Sequence, residues 1–334
     1  MPRVRTLALA LPLTALLAGC GAASTDDGDA TPAAAPADAD AVQVVASFYP
    51  LEYLVERVGG DHAQVTALTA PGVDPHDVEL SPRTVGALGS ADLVVFESGM
   101  QPAVDDAVAQ QAPGTSFDVT PAADLLALEE SGEEHDEHAD GEDHGDEDAE
   151  DDGHGHGHGH GAEDPHFWLD PVRYGDVAEA LAAELGAVDP DHAPDYEAGA
   201  AALVADLQAL DQEFTEGLRE CASRQVVTTH DAFGYLGARY DLEVTGITGI
   251  SPESEPSPAR LAEVTRLVQE LDVSTVYTEP LLSPDIARTV ASETGAQVLT
   301  LDPADGLSEP GAGSDYLDIM RTNLQTLREG QGCS

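Results

Sequence analysis

Short apolar runs at residues 42–48, 65–68, 92–96 and 115–119 read as β-strands, and the apolar spacing over 51–58 and 83–88 reads as helix. Gly59-Gly60 stops the first helix and Ser81-Pro82 opens the second. The second half repeats this logic. Strands are expected at 225–229, 242–245, 274–277 and 297–300, and helices at 232–240, 257–271, 284–294 and 317–329, with Ser257-Pro258 as another helix start. Such alternation argues for parallel sheets covered by helices, and the length suits two α/β lobes better than one. Between the halves, 172–185 and 194–219 are long Ala-rich helical patterns with few strand signals. The expected organisation is a first lobe over 42–170, a connector helix region over 171–193 and a second lobe over 194–334.

Two stretches break the pattern. Residues 129–164 combine Asp, Glu and Gly with His135, His138, His144, His154, His156, His158 and His160, without Lys or Arg. Too little apolar surface is present to offset ordering entropy, so a disordered loop is expected. Imidazoles and carboxylates in such a chain are ready ligands for zinc, copper or nickel; the plainer alternative is a solvated acidic spacer. At the start, Arg3 and Arg5 precede an apolar run over 6–17 that is too short for a membrane span and has the layout of a secretory signal. Its end, Leu17-Ala18-Gly19-Cys20, resembles a bacterial lipoprotein signal. That resemblance implies removal of 1–19 and a lipid on Cys20. Residues 20–41 would then be a flexible tether, and the protein would be exported and held by lipid on the outer face of the cell membrane.

Composition agrees with export and narrows the partners. The chain has no lysine, 13 arginines and 64 acidic residues, a formal net charge of -51. Nucleic-acid binding is excluded, since phosphate recognition needs a basic face. An acidic field attracts cations. With Cys20 lipidated, Cys221 and Cys333 remain as an even pair in an exported chain, a candidate disulfide, with two free thiols as the alternative.

Four metal-capable residues fall where a strand should end: His76 in Gly72-Val73-Asp74-Pro75-His76, His166 in Asp164-Pro165-His166-Phe167-Trp168-Leu169-Asp170, His230 in Thr229-His230-Asp231-Ala232-Phe233, and Asp302 in Leu301-Asp302-Pro303. Open α/β sheets bind ligands in the crevice at the carboxyl ends of their strands, so two ligands from each half would meet between the lobes. Three imidazoles and a carboxylate suit tetrahedral zinc; the same set also accommodates manganese with a bidentate Asp. His62 and His192 have no matching context and read as structural.

These motifs, with Glu279-Pro280, resemble the metal-binding receptors of bacterial ABC importers for zinc and manganese. The resemblance runs from Val42 to the C-terminus apart from the loop. It implies two Rossmann-like α/β lobes joined by a long rigid helix, a Zn2+ or Mn2+ ion buried between them, a monomer, and a membrane permease as partner. It makes His76, His166 and His230 ligands, with Asp302 fourth and Glu79 or Glu279 as rivals for that place. Glu279 alternatively orients a ligand imidazole or caps a strand end. Manganese-selective members tend to carry a carboxylate where His230 stands, so the zinc branch is expected. Zinc would be captured by the loop, passed to the cleft and handed on, with binding weakening below roughly pH 6 as imidazoles protonate. Two rivals stand beside this reading. A zinc hydrolase would use the three histidines with Glu279 as base, but the chain has no His-Glu-x-x-His pair and no Gly-x-Ser-x-Gly elbow. An adhesin would need a binding module, and none is visible.

Overall fold

The computed structural model describes residues 41–127, 163–252, 255–308 and 315–334. The first lobe runs β1 (Val42–Ala46), α1 (Tyr49–Gly59), β2 (Ala63–Ala67), α2 (Pro82–Leu88), β3 (Leu93–Phe96), α3 (Pro102–Gln111), β4 (Ser116–Asp118) and α4 (Thr120–Ala123). Its strands are parallel, in the order β2-β1-β3-β4. An antiparallel ribbon of β5 (Leu126–Ala127) and β6 (Glu163–Asp164) follows, then α5 (Pro171–Val188) and α6 (Ala193–Gly217). The second lobe comprises β7 (Gln225–Thr228), α7 (Gly234–Tyr240), β8 (Glu243–Gly246), α8 (Pro258–Glu270), β9 (Thr275–Thr278), α9 (Asp285–Thr294), β10 (Gln297–Thr300) and α10 (Tyr316–Gly330). Its strands are also parallel, in the order β10-β9-β7-β8.

Read from its other edge, the second sheet repeats the order of the first. In each, the first strand lies between the second and the third, so the winding reverses there and opens a crevice at the strands' carboxyl ends. β3 and β9 are buried along their whole length, as parallel strands covered on both faces should be. The Ser-Pro starts behave as expected: Ser81 Oγ accepts from Thr84 N at 3.2 Å, and Ser257 Oγ accepts from Arg260 N at 3.1 Å. α3 was not anticipated. Its apolar face is only Val104, Ala107 and Val108, a narrow stripe that becomes convincing once it packs with Val94 and Phe96 of β3.

α6, about 37 Å long at 1.5 Å per residue, touches both lobes. It buries Tyr196, Ala200, Leu203, Leu207, Leu210 and Phe214 along one stripe. Near its start Gly199 meets α1 so closely that a Cβ would lie 2.5 Å from Val58 O. Near its end Phe214 stacks on Tyr240 at 5.0 Å, and Arg321 of α10 pairs with Glu213. The connector expected at 171–193 also reaches both lobes, packing on α1 and meeting α10 where Tyr174 lies 4.7 Å from Tyr316. Those residues hold α5 and the turn after it, and α5 lies alongside α6.

The predicted signal (1–19), Cys20, the tether up to residue 40 and the seven loop histidines lie outside the described residues. The predicted loop ends at 164, yet Glu163 and Asp164 form β6, with Leu126 opposite Asp164 and Ala127 opposite Glu163. Tyr235 Oη ties this ribbon down, accepting from Leu126 N and donating to Asp164 O, both at 2.7 Å. Both ends of the His-rich segment are thus rooted together, two residues before His166.

Cys221 and Cys333 form a disulfide that joins the C-terminus to the entry of β7, closing a sequence separation of 112 residues. A loop of that size is worth about 4–5 kcal/mol in the chain-entropy model. Cys221→Ser with Cys333→Ser is expected to lose up to about that amount. Urea unfolding of oxidised wild type against the double variant checks it.

Candidate metal centre

His76 sits on a single helical turn, Pro75–Asp77, after β2; Asp74 Oδ1 caps it by accepting from His76 N at 2.9 Å. Buried Gln101 fixes the turn from below, donating to Pro75 O at 2.9 Å and to Thr69 Oγ1 at 3.2 Å. His166, fully buried, follows β6, and one carboxylate oxygen holds it twice: Asp164 Oδ1 accepts from its backbone N at 3.0 Å and lies 2.7 Å from its Nδ1. His230 follows β7. Glu279 Oε1 accepts from His230 N at 3.1 Å and from Thr229 Oγ1, while Oε2 lies against His230 Nδ1, out of line for a regular hydrogen bond. Carboxylates at Nδ1 of two rings orient them and leave Nε2 as the free donor atom.

Those atoms converge. His166 Nε2 lies 3.2 Å from His76 Nε2 and 3.4 Å from His230 Nε2, and one donor atom from each of the three residues falls within 4.8 Å of the others. A tetrahedral zinc ion with bonds of about 2.0–2.1 Å requires nitrogen separations of about 3.3–3.4 Å. His76, Asp74 and Asp305 form a second group by the same measure, so Asp305 shares a neighbour with the imidazole cluster.

Asp302 is in neither group among the described residues. Its Oδ1 accepts from Ala304 N at 2.8 Å, capping a bend in which Ala304 takes φ 55°. Three residues on, Asp305 is buried and faces the histidines. Glu79 is exposed and outside both groups. The sequence reading missed Asp305 and Asp164. The acidic residue before Gly306 was the available signal for Asp305, whereas Asp164 was hidden at the end of an acidic run. His62 and His192 stack on each other at 3.9 Å, each against a carboxylate, Asp195 for His62 and Asp189 for His192. They belong to neither group.

The ion-free electrostatics are divided. Burial and the neighbouring His166 and His230 push His76 down to about 2. Burial, then His230, pushes His166 well below its ordinary value. For His230 burial acts downward, but contact with Glu279 and the charges of Asp305 and Asp74 outweigh it and raise the pKa. Burial pushes Asp305 up to about 8, against the pull of His230.

Two parallel α/β lobes facing a cluster of imidazoles and carboxylates across one crevice define a two-lobed binding protein with a metal-type donor set. The chain belongs to the ZnuA family, described as the periplasmic component A of a zinc-uptake complex, whose profile matches residues 44–330. It is 34% identical over 317 residues to the high-affinity zinc uptake system protein ZnuA of Bacillus subtilis, covering 94% of this chain and 93% of that one. It is 35% identical over 294 residues to the zinc-binding lipoprotein AdcA of Streptococcus pneumoniae, covering 86% of this chain but only 55% of AdcA, so it spans about half the length of that relative. Among solved structures, the laminin-binding adhesin Lmb of Streptococcus agalactiae superposes with a TM-score of 0.73 at 31% identity, covering 87% of this chain and 99% of Lmb. The Zn(II)-bound ZnuA-like domain of Streptococcus pneumoniae AdcA gives 0.68 at 31% identity, with 87% and 99% covered.

Proposed function

We propose that this protein is an extracytoplasmic zinc receptor that binds Zn2+ between its lobes through His76, His166, His230 and Asp305 and delivers it to the permease of an ABC importer. The observation that carries the reading is the pair of Nε2 separations, 3.2 and 3.4 Å, at the edge length of a zinc tetrahedron. Relatives named for zinc uptake and zinc binding support the choice of metal. Three imidazoles, those of His166 and His230 buried, favour zinc over manganese, which prefers oxygen donors.

The protein binds and hands over, without turnover. Glu279, the base a hydrolase would need, is spent on Thr229 and on the backbone N and Nδ1 of His230. Lipid attachment at Cys20 and a monomeric state complete the proposal. No helix among the described residues is long and apolar enough to cross a membrane. The seven loop histidines would capture zinc loosely and pass it on; the root of their segment, at Asp164, adjoins His166.

The ligand set is tested by two neighbouring carboxylates. Asp305→Ala is expected to weaken zinc binding by at least the roughly 10–100-fold that loss of a partner beyond the ligands costs, and by more than Asp302→Ala does. Competition with a chromophoric chelator measures both. The reverse order would return the fourth place to Asp302.

Binding must displace the protons that His230 and Asp305 hold in the ion-free site. Both groups have raised pKa values, so they are protonated below them and zinc affinity falls as pH falls from about 8. The loss is roughly tenfold per pH unit for each proton displaced. This starts higher than the unperturbed imidazole value suggests. Titration calorimetry at pH 8 and pH 6, in buffers of different ionisation enthalpy, counts the released protons.

A further inference from the structure

We propose that residues 302–307 form a strap from the second lobe that sets Asp305 on the ion, and that Trp168 and Asn323 are its positioning residues. The inference rests on the zinc reading above and concerns how the site holds and releases its ion.

The strap is rooted in its own lobe by Asn323, whose Oδ1 accepts from Asp302 N at 2.9 Å and whose Nδ2 donates to Asp302 O at 2.6 Å. Beyond that root it is fastened to the first lobe on both sides of Asp305. On one side the buried Trp168 indole donates from Nε1 to Pro303 O at 2.8 Å. On the other, Gly72 N donates to Leu307 O at 2.7 Å. Trp168 stands two residues from His166 and Gly72 four residues from His76. Each first-lobe element that presents an imidazole therefore also grips the segment that presents the carboxylate. Gly72 takes φ +80°, and a Cβ there would lie 3.3 Å from Ser308 O, so the grip needs a residue without a side chain.

Pro303, Ala304 and Asp305 in the middle of the strap are buried, and open space borders its two ends. A cavity of about 400 Å³ lies there, lined among the described residues by Leu299, Asp302, Gly306, Leu307, Ile319 and Asn323. The hydrogen bonds at its two ends therefore help to fix where that buried middle lies. Breaking the two interlobe hydrogen bonds frees Asp305 from the ion and gives the strap room to withdraw, leaving three imidazoles behind. Asp302, expected as a ligand, serves here as the capped foot of the strap.

The test is a double-mutant cycle on the full chain, reading zinc affinity at the site that His166→Ala removes. Trp168→Phe keeps a ring in the core and removes only the indole N–H. It is expected to weaken zinc binding about tenfold, the scale of losing a partner beyond the ligands. In an Asp305→Ala background the same change is expected to add nothing, because its effect passes through that carboxylate. Asn323→Ala should behave alike, and carries the cycle if Trp168→Phe does not fold. Wild-type affinity in Trp168→Phe, or an equal loss with and without Asp305, overturns the strap and assigns Trp168 to the packing of His166, whose ring lies 5.3 Å away. A wild-type chain with no tight zinc site at all overturns the zinc reading itself.

Discussion

His166→Ala is expected to weaken zinc binding at the cleft by more than about 100-fold, beyond the range for removing a residue that only orients a ligand. His166 is the hub of the cluster. Its Nε2 is the atom near both other nitrogens, and its own ring is fully buried. Removing it also strips Asp164 of its partner; burial already pushes that carboxyl up to about 7. The void left by the ring costs folding stability as well, so circular dichroism must accompany calorimetry. The expected result is a folded protein without its tight zinc site.

Zinc itself should be a large stabiliser. At free zinc about 1,000 times Kd, mass action adds about 4 kcal/mol. For a chain of this size that is a rise in melting temperature of about 6 °C. Local electrostatics supply the reason. Asp305 has Asp74, Glu279 and Asp302 nearby, and each raises its pKa further after burial has done so. An acid whose pKa is raised on folding stabilises the folded state most below its unfolded value of 3.8, and that contribution is lost as pH rises towards about 8. The ion-free protein therefore carries a growing penalty across this window, and a divalent cation removes it. Scanning calorimetry with zinc and with chelator should show a gap in melting temperature that widens from pH 6 to pH 8. An equal gap at both would separate stability from the charge of Asp305.

Much of this was legible in the sequence for a physical reason. Strand ends and helix caps are local: Ser81-Pro82 and Ser257-Pro258 announce helices without any tertiary help, and His76 and His230 follow strands that their own apolar runs declare. What local rules could not supply was the path of the backbone after a strand. The rule that ligands follow strand ends selects Asp302, but Ala304 in the left-handed region turns the chain, and the carboxylate three residues later arrives at the histidines. Asp164 was illegible for a different reason: an acidic residue ending an acidic run looks solvated until β6 pairs with β5 and buries it. That α5 and α6 both reach α1 and α10 depended on contacts which only the fold provides.

The central claim is that zinc, rather than manganese, sits among His76, His166, His230 and Asp305. Its most direct test is diffraction from crystals of the full chain loaded with one equivalent of zinc in the presence of excess manganese, recorded at the absorption edges of both metals. The account predicts a zinc anomalous peak in the cleft, within bonding distance of the three Nε2 atoms and an Asp305 oxygen. A manganese peak in that position, or a zinc peak only elsewhere, would contradict it.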